Sequence, residues 1–284
     1  MTAVVRIVGR LPRGVLYALV IAGGLLMLYP LLWMISSSFK PNKDIFLSAG
    51  LIPQHTTTAN YTAGWTGLGV SFGGFIINSL VLCALAVAGN LVSCSLAAFA
   101  FARLRFPLKR VLFAIMLGTI MLPLHATIVP QYILFKALGW VGTILPIVAP
   151  KFLAVDAFFV FLLVQFIRSI PTELDDTAKM DGCGLFRFYA RVILPLSIPA
   201  LATTAIFTFL WTWGDFFTQL IYLSGRPSSM TVPVALAAFV DSTSQSSYGQ
   251  LLAMSVVATV PVIAFFVMFQ RLLLEGISTT GLKG

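Results

Sequence analysis

Four of the nine acidic residues in this chain, Glu173, Asp175, Asp176 and Asp181, fall within nine positions. Carboxylates so grouped can move protons, hold a metal or face a charged partner. The first two roles need other ligands or a paired base. The two histidines, His55 and His125, stand seventy residues apart, and no acids cluster in the apolar stretches, so neither an acid–base pair nor a metal site emerges. No Gly-Lys dipeptide occurs, which excludes a Walker A loop cradling phosphates. Cys83, Cys94 and Cys183 are too scattered for a disulfide framework or a zinc site. Cys83 and Cys94 share one apolar helix about 16 Å apart along its axis, too far to bridge. Docking remains. The acids are followed by Gly182, a basic-aromatic run and a Val-Ile-Leu-Pro ending, the whole lying between two apolar segments. A second grouping, Trp211, Trp213 and Asp215, suits a sugar: an indole stacks on the ring while a carboxylate accepts hydroxyl protons. Intramembrane carboxylates are functional candidates by default. The alternative is an interfacial aromatic belt with Asp215 reaching water or capping a neighbouring helix.

The elements that hold these groups are membrane helices. Hydrophobic residues make up 59% of the chain and charged residues 10%, with a mean hydropathy of +0.98. A soluble domain carries about a quarter charged residues. The pattern predicts an all-α, polytopic membrane bundle of about six spans, near 14–35, 76–100, 111–133, 152–168, 198–223 and 250–270, as one domain over 1–284. Arg6, Arg10 and Arg13 precede the first, whose apolar core is longer than the roughly 7–15 residues of a cleaved signal peptide. With both termini inside, thirteen Lys and Arg lie on the inner side and Lys40, Lys43, Lys136, Lys151 and Arg226 on the outer. That asymmetry sets the orientation and puts the 169–197 loop in the cytoplasm. The net charge of +9 is therefore topogenic, and no nucleic-acid partner is expected. Lys151 and Asp156 crowd the start of the fourth span.

The loop reads as a short helix. Pro171 sets its entry, and Thr172 with Asp175 matches a capping box. Glu173, Asp175 and Asp176 suit the first-turn dipole. Leu174 and Ala178 share a face, and Gly182 and Gly184 permit a sharp turn. Within the spans, His125 lies between Pro123 and Pro130, where a kinked helix would line a pathway or simply hold a bundle histidine. Asn78 and Ser79 bond between helices or line that pathway.

In register, Asp176-Thr177-Ala178, Gly182, Val192 and Leu194-Pro195 resemble the coupling loop of importer permeases of the ATP-binding-cassette superfamily. That pattern runs Glu-Ala-Ala, three residues, Gly, nine residues, Ile, one residue, Leu-Pro. Asp, Thr and Val here replace Glu, the first Ala and Ile. Ala97–Pro107, Leu122-Pro123 to Pro130 with Leu138-Gly139, Trp211–Phe216 (Gly214 for the usual Asn) and Gln270–Gly284 are similar to carbohydrate permeases of the maltose type.

The resemblance implies a transport subunit, not an enzyme, in a bacterial or archaeal cytoplasmic membrane. Glu173, Asp175, Asp176, Thr177, Ala178, Gly182, Leu194 and Pro195 would couple it to a separate ATPase. No cofactor is expected on this chain; ATP and Mg would sit on that partner. The implied partners are two ATPase copies, a second homologous permease, an external solute-binding protein docking on the outer loops, and the lipid bilayer. Trp211, Trp213, Asp215, Asn78 and His125 are the substrate-path residues, for a sugar, polyol or glycerol-phosphate solute. An ion-coupled secondary transporter is the rival class. It calls for ionisable residues near midplane, where Asp156 and Asp215 are displaced outward, and it does not explain a structured acidic loop inside.

Overall fold

The computed structural model describes residues 12–47, 50–223, 225, 227–240 and 247–281, and the backbone alone of 13, 124 and 272–281. Arg6, Arg10, Arg226 and residues 282–284 lie outside the described residues, as does the side chain of Arg13. Among the described residues every regular element is helical.

Among the described residues four helices are long and apolar enough to cross a membrane: Gly14–Ser38, Phe72–Arg103, Leu145–Ser169 and Tyr248–Arg271. Leu185–Leu196 and Ile198–Gly214, joined at a 76° bend, make a fifth if the pair counts as one. The predicted 111–133 span is instead two helices, Lys109–Thr119 and Leu124–Ala137. Pro123 cannot donate to the fourth carbonyl before it, so the chain leaves the helix over 120–123. The predicted 198–223 span also breaks, at Asp215, into Ile198–Gly214 and Phe216–Leu223. The fourth span starts earlier than 152. A helical turn, Leu145–Val148, runs into a 3-10 turn, Ala149–Leu153, and Ala154 turns left-handed at φ 53° before Ala157–Ser169.

Two compact units form. One comprises Met1–Gly67 with Phe239–Val257, the other Leu68–Ala238 with Ala258–Gly284. In the first, the Asn60 amide donates to the Ser38 and Lys40 carbonyls, 2.8 Å each, and tethers Ala59–Thr66 to the end of Arg13–Ser38. Ser38 Oγ and Tyr61 Oη lie 2.8 Å apart beside it, and Phe46 meets Tyr248 edge to face. Gly249 has no room for a Cβ against Asn60.

The second unit is built on Phe72–Arg103. Its 32 residues extend about 48 Å, beyond a hydrocarbon core of roughly 30 Å, so its ends emerge from the bilayer. Phe159, Val160, Leu163, Val164 and Ile167 from Ala157–Ser169 bury against its Cys94, Ala98 and Phe99. Phe188, Tyr189, Ile193 and Ala200 close that core from the loop side. Towards the other end Leu82 packs with Ile128, Phe135, Ile147, Tyr222 and Leu223. All three cysteines are free, and Cys83 and Cys94 are buried.

Candidate functional site: the loop helix and a cleft beside Trp211

The 169–197 loop folds as a helix over Glu173–Met180 with its three carboxylates in the first turn. Its end is a Schellman turn. Cys183 N–H donates to the Ala178 carbonyl at 2.8 Å and Gly182 N–H to Lys179 at 3.0 Å. Gly182 sits at φ +66°, the left-handed position that this motif reserves for glycine. The predicted capping box does not form: Thr172 makes no side-chain cap bond. Asp175 turns instead to Arg103, Oδ1 to Nε 3.6 Å, with the side chains 18% and 5% exposed. Arg103 Nη2 also donates to the Ile167 and Ile170 carbonyls, at 3.1 and 2.6 Å. One guanidinium thus joins the end of Phe72–Arg103, the end of Ala157–Ser169 and the loop helix.

That tether sorts the loop residues into two sets. Asp175 and Ala178 face inward and border, with Phe99, Arg103, Cys183 and Phe188, a cavity of about 70 Å³. Glu173, Leu174, Asp176, Thr177 and Met180 are exposed. Asp176 pairs with Lys179 at 3.0 Å on the surface, and Thr177 Oγ1 donates to the Glu173 carbonyl at 2.9 Å. Glu173, Asp176, Thr177 and Met180 follow helical spacing, so the outer face is acidic with one large apolar group. Beyond the turn, Leu185 and Phe186 are 61% and 76% exposed, with Leu185 also bordering the inner cavity. Leu194 packs on the core beside Val192, and Pro195 is exposed. Just before them the backbone widens to a π turn over Tyr189–Ile193. The Ser95 and Tyr189 hydroxyls, 2.6 Å apart, pin that turn to Phe72–Arg103. The bend to Ile198–Gly214 follows directly.

The five substrate-path residues do not gather in one place. Trp211 and Asp215 border an open cleft of about 460 Å³ with Ile147, Lys151, Thr212 and Gly214. Asp215 is no longer one helical turn beyond Trp211, because the helix stops at Gly214. Its Oδ1 accepts the Thr218 N–H at 3.0 Å, capping the next helix. Trp213 is buried, stacked on Phe209 at 5.6 Å. The Asn78 amide donates to the Ser228 and Met230 carbonyls, 2.9 Å each, and Ser79 Oγ accepts the Val232 N–H. His125 lies against the Phe217 ring at 4.9 Å between centroids.

A polar cluster that the sequence only hinted at adjoins the cleft. Lys151 Nζ donates to Asp156 Oδ2 at 2.7 Å. The Asn90 amide donates to the same oxygen at 2.7 Å and to Thr208 Oγ1 at 3.0 Å. Gly89 makes this possible, since a Cβ there would stand 3.0 Å from the Lys151 carbonyl carbon and 2.9 Å from the Phe152 ring. Among the described residues no group of histidine, cysteine and acid is placed to hold a metal ion.

Residues 89–278 match the family described as "Binding-protein-dependent transport system inner membrane component". The chain is 34% identical to the trehalose transport system permease protein SugB of Mycobacterium tuberculosis, over 90% of this chain and 93% of that one. It is 30% identical to the sn-glycerol-3-phosphate transport system permease protein UgpE of Agrobacterium fabrum, over 94% and 96%. Its fold superposes, at a TM-score of 0.79 and 21% identity, on a chain of a bacterial ABC transporter involved in the import of the acidic polysaccharide alginate, covering 91% of this chain and 95% of that one. An acidic helix set between apolar crossings, the family match and the shared fold agree: the chain is a multi-pass membrane protein and belongs to the inner membrane components of binding-protein-dependent transport systems, the permeases of ABC importers.

Proposed function

We propose that this chain is one permease subunit of an ATP-driven importer that takes up a sugar or sugar-like solute from an external binding protein. The outward face of the loop helix carries the reading. Glu173, Asp176, Thr177 and Met180 are exposed on a helix that ends at the Gly182 turn and that Arg103 links to two membrane helices. Such a helix can enter a cleft on a soluble partner and pass a displacement to the bundle through Arg103 and the Tyr189 turn. Glu173, Asp176, Thr177 and Ala178 with Gly182 and Leu194-Pro195 form the coupling set, in which Asp175 acts from within. ATP and Mg belong to the partner ATPase, present in two copies, with a second homologous permease completing the pathway. The broken pair Lys109–Thr119 and Leu124–Ala137 supplies the sixth crossing. Sugar as the solute is supported by the trehalose permease relative and by the half-exposed indole of Trp211 beside Asp215.

The double substitution Asp176→Lys with Gly182→Asp tests the coupling role. It reverses charge on the docking face and places a side chain at φ +66°. Uptake of the transported sugar by cells should fall to background and the ATPase should no longer co-purify, while the chain still inserts in the membrane. Unchanged uptake would remove the coupling assignment.

A further inference from the structure

The cleft between the Ala149–Leu153 turn and the end of Ile198–Gly214 is lined by one cation, Lys151, and one carboxylate, Asp215. Its volume of about 460 Å³ falls in the roughly 300–1,000 Å³ range of small-molecule sites. Trp211 is 52% exposed, and Phe158, Phe159 and Phe207 buttress its ring at 5.4, 5.1 and 5.7 Å. A platform so fixed offers an apolar face to a pyranose ring. A lone lysine at its rim would attract phosphate or carboxylate. Lys151 is not alone: Asp156 holds its ammonium at 2.7 Å, and Asn90 fixes the same carboxylate oxygen at 2.7 Å. Asp215, one of whose oxygens caps the Phe216–Leu223 helix, adds a second carboxylate to the lining. Of the two charged residues lining the cleft, Lys151 is thus neutralised by Asp156 behind it, and the formal charge of Asp215 is left unbalanced.

We propose that the Lys151–Asp156 pair, clamped by Asn90, makes this cleft a charge filter. It passes neutral polyhydroxylated solutes and excludes those bearing phosphate or carboxylate. Lys151 acts there as a hydrogen-bond donor to hydroxyls, since an ammonium has three donors and one already goes to Asp156. Trp211 stacks and Asp215 accepts. The solute class rests on the importer reading above; the charge of the cleft does not. The filter lies in the permease itself and would act after the external binding protein has made its own choice.

Gly214 offers a direct probe, because it borders the cleft and a Cβ there meets nothing within 4 Å. With Cys83, Cys94 and Cys183 replaced by alanine, Gly214→Cys is introduced into the full transporter in native membranes. Its modification rates are measured with trimethylammonioethyl and sulfonatoethyl methanethiosulfonate, each normalised to its rate with free mercaptoethanol. The filter predicts that the cation reacts about tenfold faster, the lower end of what charge focusing in a cleft produces. Asp156→Asn should bring the ratio to one or below by releasing Lys151, and Asp215→Asn should lower it independently. Equal rates or faster reaction of the anion with Gly214→Cys alone would overturn the proposal. So would a ratio that neither asparagine variant changes. Recovery of an ATPase with the same tagged chain reads the importer assignment separately, so the two can fail independently.

Discussion

Gly182 concentrates the geometry at the end of the loop helix in one backbone angle. At φ +66° with open space around its Cα, the demand on this position is conformational, not steric. A β-branched residue there costs at least about 1–2 kcal/mol, whereas asparagine visits the left-handed region more readily. Gly182→Asn should therefore retain most uptake activity and Gly182→Val should lose at least about tenfold; equal loss in both would place the requirement elsewhere. This requirement was legible in the sequence, because a glycine just past a short acidic helix is a local signal. The role of Asp175 was not. Its spacing from Thr172 fits a capping box, and only the fold brings Arg103 within 3.6 Å to claim the carboxylate. The cleft divided in the same way. The bare types Trp and Asp pointed to it, but the stacking of Trp213 on Phe209 and the Asp156–Asn90 clamp depend on contacts remote in sequence.

Two stretches that hydropathy treats as single spans are each broken into two helices. Averaged hydropathy finds apolar stretches and passes over the breaks at 120–123 and at Asp215, because the interrupting residues are themselves largely apolar or single. Pro123 and Gly214-Asp215 were the available signals. The 3-10 turn over Ala149–Leu153 is held against Phe72–Arg103 by the absence of a side chain at Gly89. Gly89→Val must force that turn outward, and overpacking of this kind costs about 1–3 kcal/mol. Its thermal midpoint in mild detergent, followed by size-exclusion of the fluorescently tagged protein, should fall by several degrees. Gly74→Ala on the same helix, where the nearest atom would be 3.7 Å from the new Cβ, should leave it unchanged. A destabilised Gly74→Ala or an unaffected Gly89→Val would contradict this packing.

At the scale of the molecule, composition alone established a helical membrane protein, and the motifs along the chain identified its family. The division into two compact units was only partly marked. One of its crossings, at Gly67, falls in a glycine-bearing stretch, but another passes inside the Tyr248–Gly281 helix with no linker to mark it. What the family and the fold leave to experiment is the assembly. The account requires that this chain work only with an ATPase on its loop helix and a second permease beside it. The most direct measurement is affinity purification of the tagged chain from its native membrane in mild detergent, with identification of what accompanies it and reconstitution with and without ATP. Recovery of a Walker A ATPase and a second permease, with solute uptake that needs ATP, is the predicted result. Recovery of this chain alone, transporting without ATP, would contradict the account.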